Sequence, residues 1–179
     1  MWPDNMTDGR LWLETQGTFK VIKNKGSGSC LFRSICQAFS HDEDDHMKIR
    51  FKVVKHLINH SLLRNLLNKQ GFLRYWWARR MASGVTTPKR KDMRVQSVLK
   101  FYLETMTKDE EFGTKFELWA AADLYKCNFE FVTETENGCF QVASCGGYCR
   151  VMSSMPRFLF LFSKQHPGHW EWLQPLYFV

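Results

Sequence analysis

The segment Arg157-Phe158-Leu159-Phe160-Leu161-Phe162 is a nearly continuous apolar run. A strand that alternates apolar and polar residues leaves one face in water. This run has no polar face to leave there, which is the pattern of a strand buried on both sides. The chain must therefore build a sheet around it and cover that sheet. The covering surface lies upstream, as apolar residues at helical spacing. They mark helices from Cys30 to about Phe39 (Leu31, Phe32, Ile35), up to about His60 (Ile49, Val53, Val54, Leu57, Ile58), from Leu62 to Leu67, and from Tyr75 to Met81. Val95, Leu99, Tyr102 and Leu103 mark another, and Phe116, Leu118, Trp119, Ala122, Leu124 and Tyr125 the last. Thr114 can cap that last helix, and Glu117 three residues on makes a capping box. Strand patterns occur at Thr18-Phe19-Lys20-Val21-Ile22-Lys23, Phe129-Glu130-Phe131-Val132, Cys139-Phe140-Gln141-Val142 after the turn signal Asn137-Gly138, and His169-Trp170-Glu171-Trp172-Leu173. Helices fill the first two-thirds and strands dominate the last third. That order predicts an α+β fold, with helices packed around a small, largely antiparallel sheet.

A chain of 179 residues is expected to form one domain and can bury roughly 70% of its unfolded surface. Residues 1–17 are polar and mixed and read as an N-terminal extension, leaving 18–177 as the domain. A hydrophobic fraction of 44%, with fifteen Phe and seven Trp, excludes a disordered chain. No apolar run approaches the ~18 residues of a membrane-spanning helix. The start, Met1-Trp2-Pro3-Asp4-Asn5, lacks the basic-then-apolar pattern of a secretory signal. The expectation is thus a cytoplasmic protein, with the nucleus as a second location and no membrane partner. Its six cysteines (30, 36, 127, 139, 145 and 149) are expected as free thiols.

The formal charge of +7 raises nucleic acid as a partner. Much of it lies in Arg74, Arg79, Arg80, Lys89, Arg90, Lys91, Arg94 and Lys100, around Trp76 and Trp77. Basic residues beside aromatics can hold single strands. The preferred reading is a solvated basic face over tryptophans packed in the core, so nucleic acid is not the expected partner.

The stretch with most chemical content is Gly26-Ser27-Gly28-Ser29-Cys30. Two glycines and two serines make a turn-prone loop. Cys30 follows it, at or near the N-terminus of the first helix. The free N–H groups and partial positive charge of a helix N-terminus stabilise a thiolate, and the same N–H groups can form an oxyanion hole. A buried structural cysteine is the alternative. A cysteine nucleophile needs a base, and the base an orienting group. Of six histidines, His41, His46, His56 and His60 lie in a polar helical region. His56 and His60, four apart, could hold a metal on one helix face, but no Glu-x-x-His pattern accompanies them, and a solvated face is the preferred reading. Cys139, Cys145 and Cys149 lack the paired spacing of common zinc sites. No metal or cofactor is expected. His169 opens the final strand, after the turn at Pro167-Gly168 that follows His166. Glu171 lies two residues on, hence on the same strand face, where a carboxylate can fix the imidazole.

Gly-Ser-Gly-Ser-Cys-Leu-Phe-Arg-Ser-Ile at 26–35 resembles the nucleophile motif of ovarian tumour (OTU) cysteine proteases, usually Gly-Asp-Gly-Asn-Cys-Leu-Phe-Arg-Ala/Ser-Ile. Ser27 and Ser29 depart from it. Two further stretches are similar to that family in the same order. One is Gly113-Thr114-Lys115-Phe116-Glu117-Leu118-Trp119-Ala120-Ala121-Ala122, followed by the Phe129-Glu130-Phe131-Val132 strand. The other is the apolar strand, a turn, and His169-Trp170-Glu171, with Glu as the variant acid. The resemblance implies an OTU-like fold and a papain-like mechanism on ubiquitin or a ubiquitin-like modifier. Cys30 would be the nucleophile, His169 the base and Glu171 its orienting acid. Ser27, Gly28 and Ser29 would make up the oxyanion and nucleophile loop, with backbone N–H groups of the Gly28–Cys30 turn stabilising the oxyanion and Ser29 capping the helix. Ser27 carries no charge where the family usually has Asp. A weak or inactive OTU-like module that binds a modifier or partner protein therefore stands as the alternative.

Overall fold

The structure, a computed structural model, describes residues 19–69, 71–82, 95–134, 140–144, 156–163 and 169–176. The N-terminal extension, residues 83–94 of the basic stretch, Cys139, Cys145, Cys149 and His166 lie outside the described residues. The elements in chain order are β1 (Phe19–Ile22), α1 (Cys30–Ala38), a 3-10 turn (Glu43–Asp45), α2 (His46–Asn59), α3 (Ser61–Lys69), α4 (Phe72–Ala82), α5 (Val95–Met106), α6 (Lys115–Tyr125), β2 (Asn128–Glu134), β3 (Phe140–Ser144), β4 (Arg157–Ser163) and β5 (His169–Pro175).

The apolar run becomes β4, at the centre of a five-stranded sheet ordered β1-β5-β4-β2-β3. Only the β2–β4 pair is parallel; β1–β5, β4–β5 and β2–β3 are antiparallel. The helices-then-strands order thus yields the expected α+β sheet. Both faces of β4 are covered, unequally. Phe158, Phe160 and Phe162 join the large core under the helices, where the Phe160 ring meets Phe129 at 5.2 Å between centroids. Leu159 and Leu161 face the other way, into a smaller cluster with Val21, Val132 and Leu173.

Most of the described apolar helix positions are buried as their spacing predicts, though Leu62 on α3 and Tyr75 on α4 are exposed, and α2 makes an exchange. On α2, Ile49, Val53, Val54 and Leu57 are buried, but Ile58 is 38% exposed. Arg50, three and four residues before Val53 and Val54, lies inside the buried stripe and is fully buried. The described part of the basic stretch packs its tryptophans inward. Trp77 is buried, and Trp76 lies against Tyr102 and Phe101. Arg80 lies over Trp76 and pairs with Glu111, with one bond at 2.8 Å. Cys30, Cys36 and Cys127 are buried and in no disulfide, and burial pushes the Cys36 thiol up to about 12.

At the start of α6 the capping box forms, with Thr114 taking the Phe116 amide at 3.2 Å and the Glu117 carboxylate taking the Thr114 amide at 2.8 Å. Glu117 is fully buried and also accepts from the Tyr102 hydroxyl at 2.7 Å and the Thr114 hydroxyl at 2.6 Å. Burial raises its pKa, and these donors oppose that shift. Thr114→Ala removes a cap and takes one donor from a buried carboxylate. It should cost about 1–2 kcal/mol in urea denaturation. A change within the error of the measurement would mean that the box contributes no stability.

Candidate active site

The site is built where β5 outruns β1. The β1–β5 ladder ends at Ile22 opposite Trp172, so His169, Trp170 and Glu171 extend beyond it. The backbone of Trp170 needs other partners on that edge, and the N-terminal end of α1 supplies them. The Trp170 N–H donates to Cys30 Sγ at 3.3 Å. Its carbonyl accepts from Asn24 Nδ2 at 2.8 Å and from Ser34 Oγ at 3.1 Å. Two residues 140 apart in sequence are thus held by an edge that functions as a strand pairing. The Trp170 indole is buried against Phe131 and Phe162, and its Nε1 donates to the Gly113 carbonyl at 3.2 Å.

Cys30 is the first residue of α1 and is fully buried. The loop before it turns through two left-handed residues, Gly26 (φ +74°) and Ser27 (φ +66°). Asn24 Oδ1 accepts the Gly26 amide at 2.9 Å. Ser27 closes the turn: its carbonyl accepts the Cys30 amide and its hydroxyl the Ser29 amide, both at 3.3 Å. Gly28 packs so tightly on residue 110 that a Cβ would overlap the Glu110 carbonyl. Ser29 occupies the N-cap position, but its side chain makes no cap bond, contrary to the sequence expectation. Its hydroxyl is drawn off by stronger partners, donating to Asp109 Oδ1 and accepting from Arg50 Nη2 at 3.0 Å.

His169 and Glu171 share a strand face, as their spacing predicts. The imidazole faces the loop, with a Cβ at Gly26 only 4.0 Å from its Cε1. Its Nε2 stands 3.6 Å from Glu171 Oε1, within ion-pair distance. Contact with Cys30 first, and with Glu171 second, raises the His169 pKa from 6.5 to about 9, against the opposing effect of burial. The imidazole is therefore a cation at neutral pH. The structure thus gathers Cys30, His169, Glu171 and the loop residues Ser27, Gly28 and Ser29 at one place.

Sequence reasoning missed Asn24, Arg50 and Asp109. Only Arg50 left a signal, as a charge within the apolar stripe of α2. Asn24 and Asp109 are ordinary polar loop residues whose roles depend on long-range geometry. Among the described residues one group could reach a metal: His56, His60 and Asp123. Its two histidines are half-buried against α6 rather than solvated. His56 Nε2 lies 2.7 Å from Asp123 Oδ2, and His60 Nε2 3.5 Å from the same oxygen. The Leu63 amide points at His60 Nδ1 at 3.4 Å, so this nitrogen acts as the acceptor and the ring proton sits on Nε2, facing Asp123. The three side chains form a clamp between α2 and α6.

The raised pKa of His169 has a consequence for stability. The folded chain holds a proton that the unfolded chain releases near pH 6.5, so the contribution is full below pH 6.5 and is lost as pH rises through about 9. Urea midpoints should fall across that window, and His169→Ala should flatten the fall. Parallel profiles for the two proteins would place the proton elsewhere.

The family model for OTU-like cysteine proteases matches residues 25–170. No curated protein sequence matches the chain. Among solved structures, the chain is similar to the viral OTU domain protease from Farallon virus, at 18% identity and TM-score 0.64, covering 90% of this chain and 86% of that one. It is similar to the Hazara virus OTU, solved bound to ubiquitin, at 14% identity and TM-score 0.59, covering 91% and 85%. An OTU deubiquitinase from Wolbachia pipientis wMel, also solved bound to ubiquitin, aligns at 15% identity and TM-score 0.54, covering 89% and 97%.

Proposed function

This chain belongs to the OTU-like cysteine protease family, and from that premise we propose that it is a cysteine deubiquitinase, hydrolysing bonds to the C-terminus of ubiquitin or a ubiquitin-like modifier. The observation that carries the reading is the contact of Cys30, first residue of a helix, with the Trp170 amide and with His169, which Glu171 backs. The ubiquitin-bound Hazara virus and Wolbachia structures support ubiquitin as the modifier.

In this reading the Cys30 thiolate attacks the scissile carbonyl, and the oxyanion is met by backbone N–H groups of the Gly28–Cys30 turn, the Ser29 and Cys30 amides exchanging their long 3.3 Å bonds to Ser27 for it. His169 gives its proton to the departing lysine amine, leaving a thioester on Cys30. It then takes a proton from the water that attacks the thioester. The modifier leaves with a free C-terminal carboxylate and Cys30 is restored. Glu171 keeps Nε2 of His169 engaged, which leaves Nδ1 for the thiol, and it supports the imidazolium. No cofactor enters. Cys36 and Cys127, buried thiols in no disulfide, fit work in a reducing compartment such as the cytoplasm.

Ubiquitin carrying a thiol-reactive C-terminus should modify Cys30 alone among the six cysteines, read by mass spectrometry. Adduct at Cys36 or Cys127 with Cys30 free would overturn the assignment. Tight binding of ubiquitin without adduct or turnover would make the chain a binding module.

On a fluorogenic ubiquitin substrate, His169→Ala should lose roughly a thousandfold in kcat. Glu171→Gln should lower kcat less, with folding stability little changed, because a cysteine nucleophile depends less on its base. Unchanged kcat in Glu171→Gln would remove Glu171 from the mechanism.

A further inference from the structure

The loop that carries Cys30 is held from behind by a polar network that the proposed chemistry does not itself use. Arg50 is fully buried on α2 and lies 4.2 Å over the Phe32 ring. Its Nη1 donates to the Met106 carbonyl at 3.0 Å, and its Nη2 reaches the carbonyls of Glu111 at 2.7 Å and Gly28 at 3.3 Å and the Ser29 hydroxyl at 3.0 Å. A buried guanidinium is costly unless its donors are met. Here Nη1 and Nη2 are met by the nucleophile loop on one side and by the end of α5 and the segment after it on the other, while Nε is left without a hydrogen-bond partner. The Ser29 hydroxyl, holding Arg50 as a donor, gives its own proton to Asp109. Asp109 Oδ1 also takes the Glu110 amide at 3.0 Å and faces Nε2 of the buried His46 at 3.2 Å. The hydroxyl, the amide and His46 hold the Asp109 carboxyl below its ordinary range.

The geometry matters because a trans peptide points its C=O and N–H in opposite directions. With the Gly28 carbonyl drawn to Arg50, the Ser29 N–H of the same peptide points to the other side of the loop, where the Ser27 hydroxyl accepts it at 3.3 Å. We propose that Asp109 is a positioning residue for the Cys30 loop. Through Ser29 Oγ, which Arg50 grips from the other side, it fixes the peptide joining Gly28 to Ser29, and with it the amide groups that meet the scissile carbonyl. The statement about amides rests on the acyl-transfer reading above; the statement about the loop does not. Asp109 suits the test because its side chain is 53% exposed, so its replacement leaves the core intact.

The experiment compares the wild-type chain with Asp109→Ala, Asp109→Asn and Ser29→Ala. Amide hydrogen exchange of residues 26–31 reads the loop directly. Steady-state kinetics on a fluorogenic ubiquitin amide read catalysis, and iodoacetamide alkylation against pH reads the thiol. In Asp109→Ala, exchange over 26–31 should rise about tenfold. The kcat should fall by about ten- to a hundredfold, less than the full loss of an oxyanion donor. KM and the pH of half-maximal alkylation should hold, and the thermal midpoint should fall by no more than about 2–4 °C, for the lost bonds of a half-exposed carboxylate. Asp109→Asn keeps an acceptor for the Ser29 hydroxyl and should recover part of the loss. The double variant with Ser29→Ala should be no worse than either single one, as expected for partners in one bond.

Exchange and kcat both unchanged in Asp109→Ala would overturn the proposal. So would a fall of kcat and alkylation rate together with a fall of the thermal midpoint well beyond about 4 °C, which marks a general structural role. If the wild-type chain turns over no ubiquitin substrate, the functional reading fails. The exchange arm then decides alone, faster exchange supporting loop positioning and unchanged exchange overturning it.

Discussion

Everything at the site depends on how the free edge of Trp170 is satisfied. A strand edge buried against a helix cannot leave its N–H and C=O unpaired, since each orphan would cost on the order of 1–3 kcal/mol. β1 is too short to reach Trp170. Cys30 Sγ, Ser34 Oγ and Asn24 Nδ2 take its place. That substitution fixes α1 against β5 with the thiol on the sheet edge, and it brings His169, one residue earlier, alongside. Folding stability and site geometry are therefore one constraint at this edge. The apolar core brings the elements together, since Trp170, Phe160 and Leu31 belong to one cluster. The polar edge sets their relative position to within a hydrogen bond.

The position of β4 was legible in the sequence because a run without a polar face has few places to go. The helices were legible by their spacing, and the capping box by its Thr-x-x-Glu pattern. Cys30, His169 and Glu171 could be gathered by local rules: loop-to-helix junction, strand start, and i, i+2 on one face. The network behind them was not legible in the same way. Asp109 and Ser29 lie 80 residues apart, and no periodicity connects them. The expectation that Ser29 would cap its own helix failed because a local rule competes with tertiary partners. A carboxylate and a buried guanidinium outbid a backbone amide for one hydroxyl. Ile58 and Arg50 on α2 make a similar exchange. Hydropathy would put the isoleucine inside, but the carbonyls of Gly28, Met106 and Glu111 make the buried side a polar socket for arginine.

The backbone of the loop gives a physical meaning to its unusual residue. Position 27 has φ +66°, a conformation that costs a residue with a side chain about 1–2 kcal/mol. Gly, Asn and Asp tolerate it best, the latter two because a short polar side chain can bond the local backbone. Ser27 uses the same device with a weaker group, its hydroxyl accepting the Ser29 amide. The turn is kept without a charge, and the carboxylate nearest the loop comes instead from Asp109, outside it.

Two cations lie near Cys30, and they do different work. Arg50 is closed off from solvent, and its charge is met by carbonyls of Gly28, Met106 and Glu111 and by the carboxylates of Glu117, Asp109 and Glu111 around it. Much of its field is answered by groups that do not move. His169 differs in kind. Its charge is set by a proton, held by Cys30 and Glu171, and a proton can be given away. A group that both supports a thiolate and donates to a leaving amine has to be titratable, accessible and only loosely held. Glu171 stands at ion-pair distance, 3.6 Å from Nε2, where it supports that charge. The buried arginine is suited to fixing the loop for the same reason that it is unsuited to the chemistry: it cannot be deprotonated in a protein.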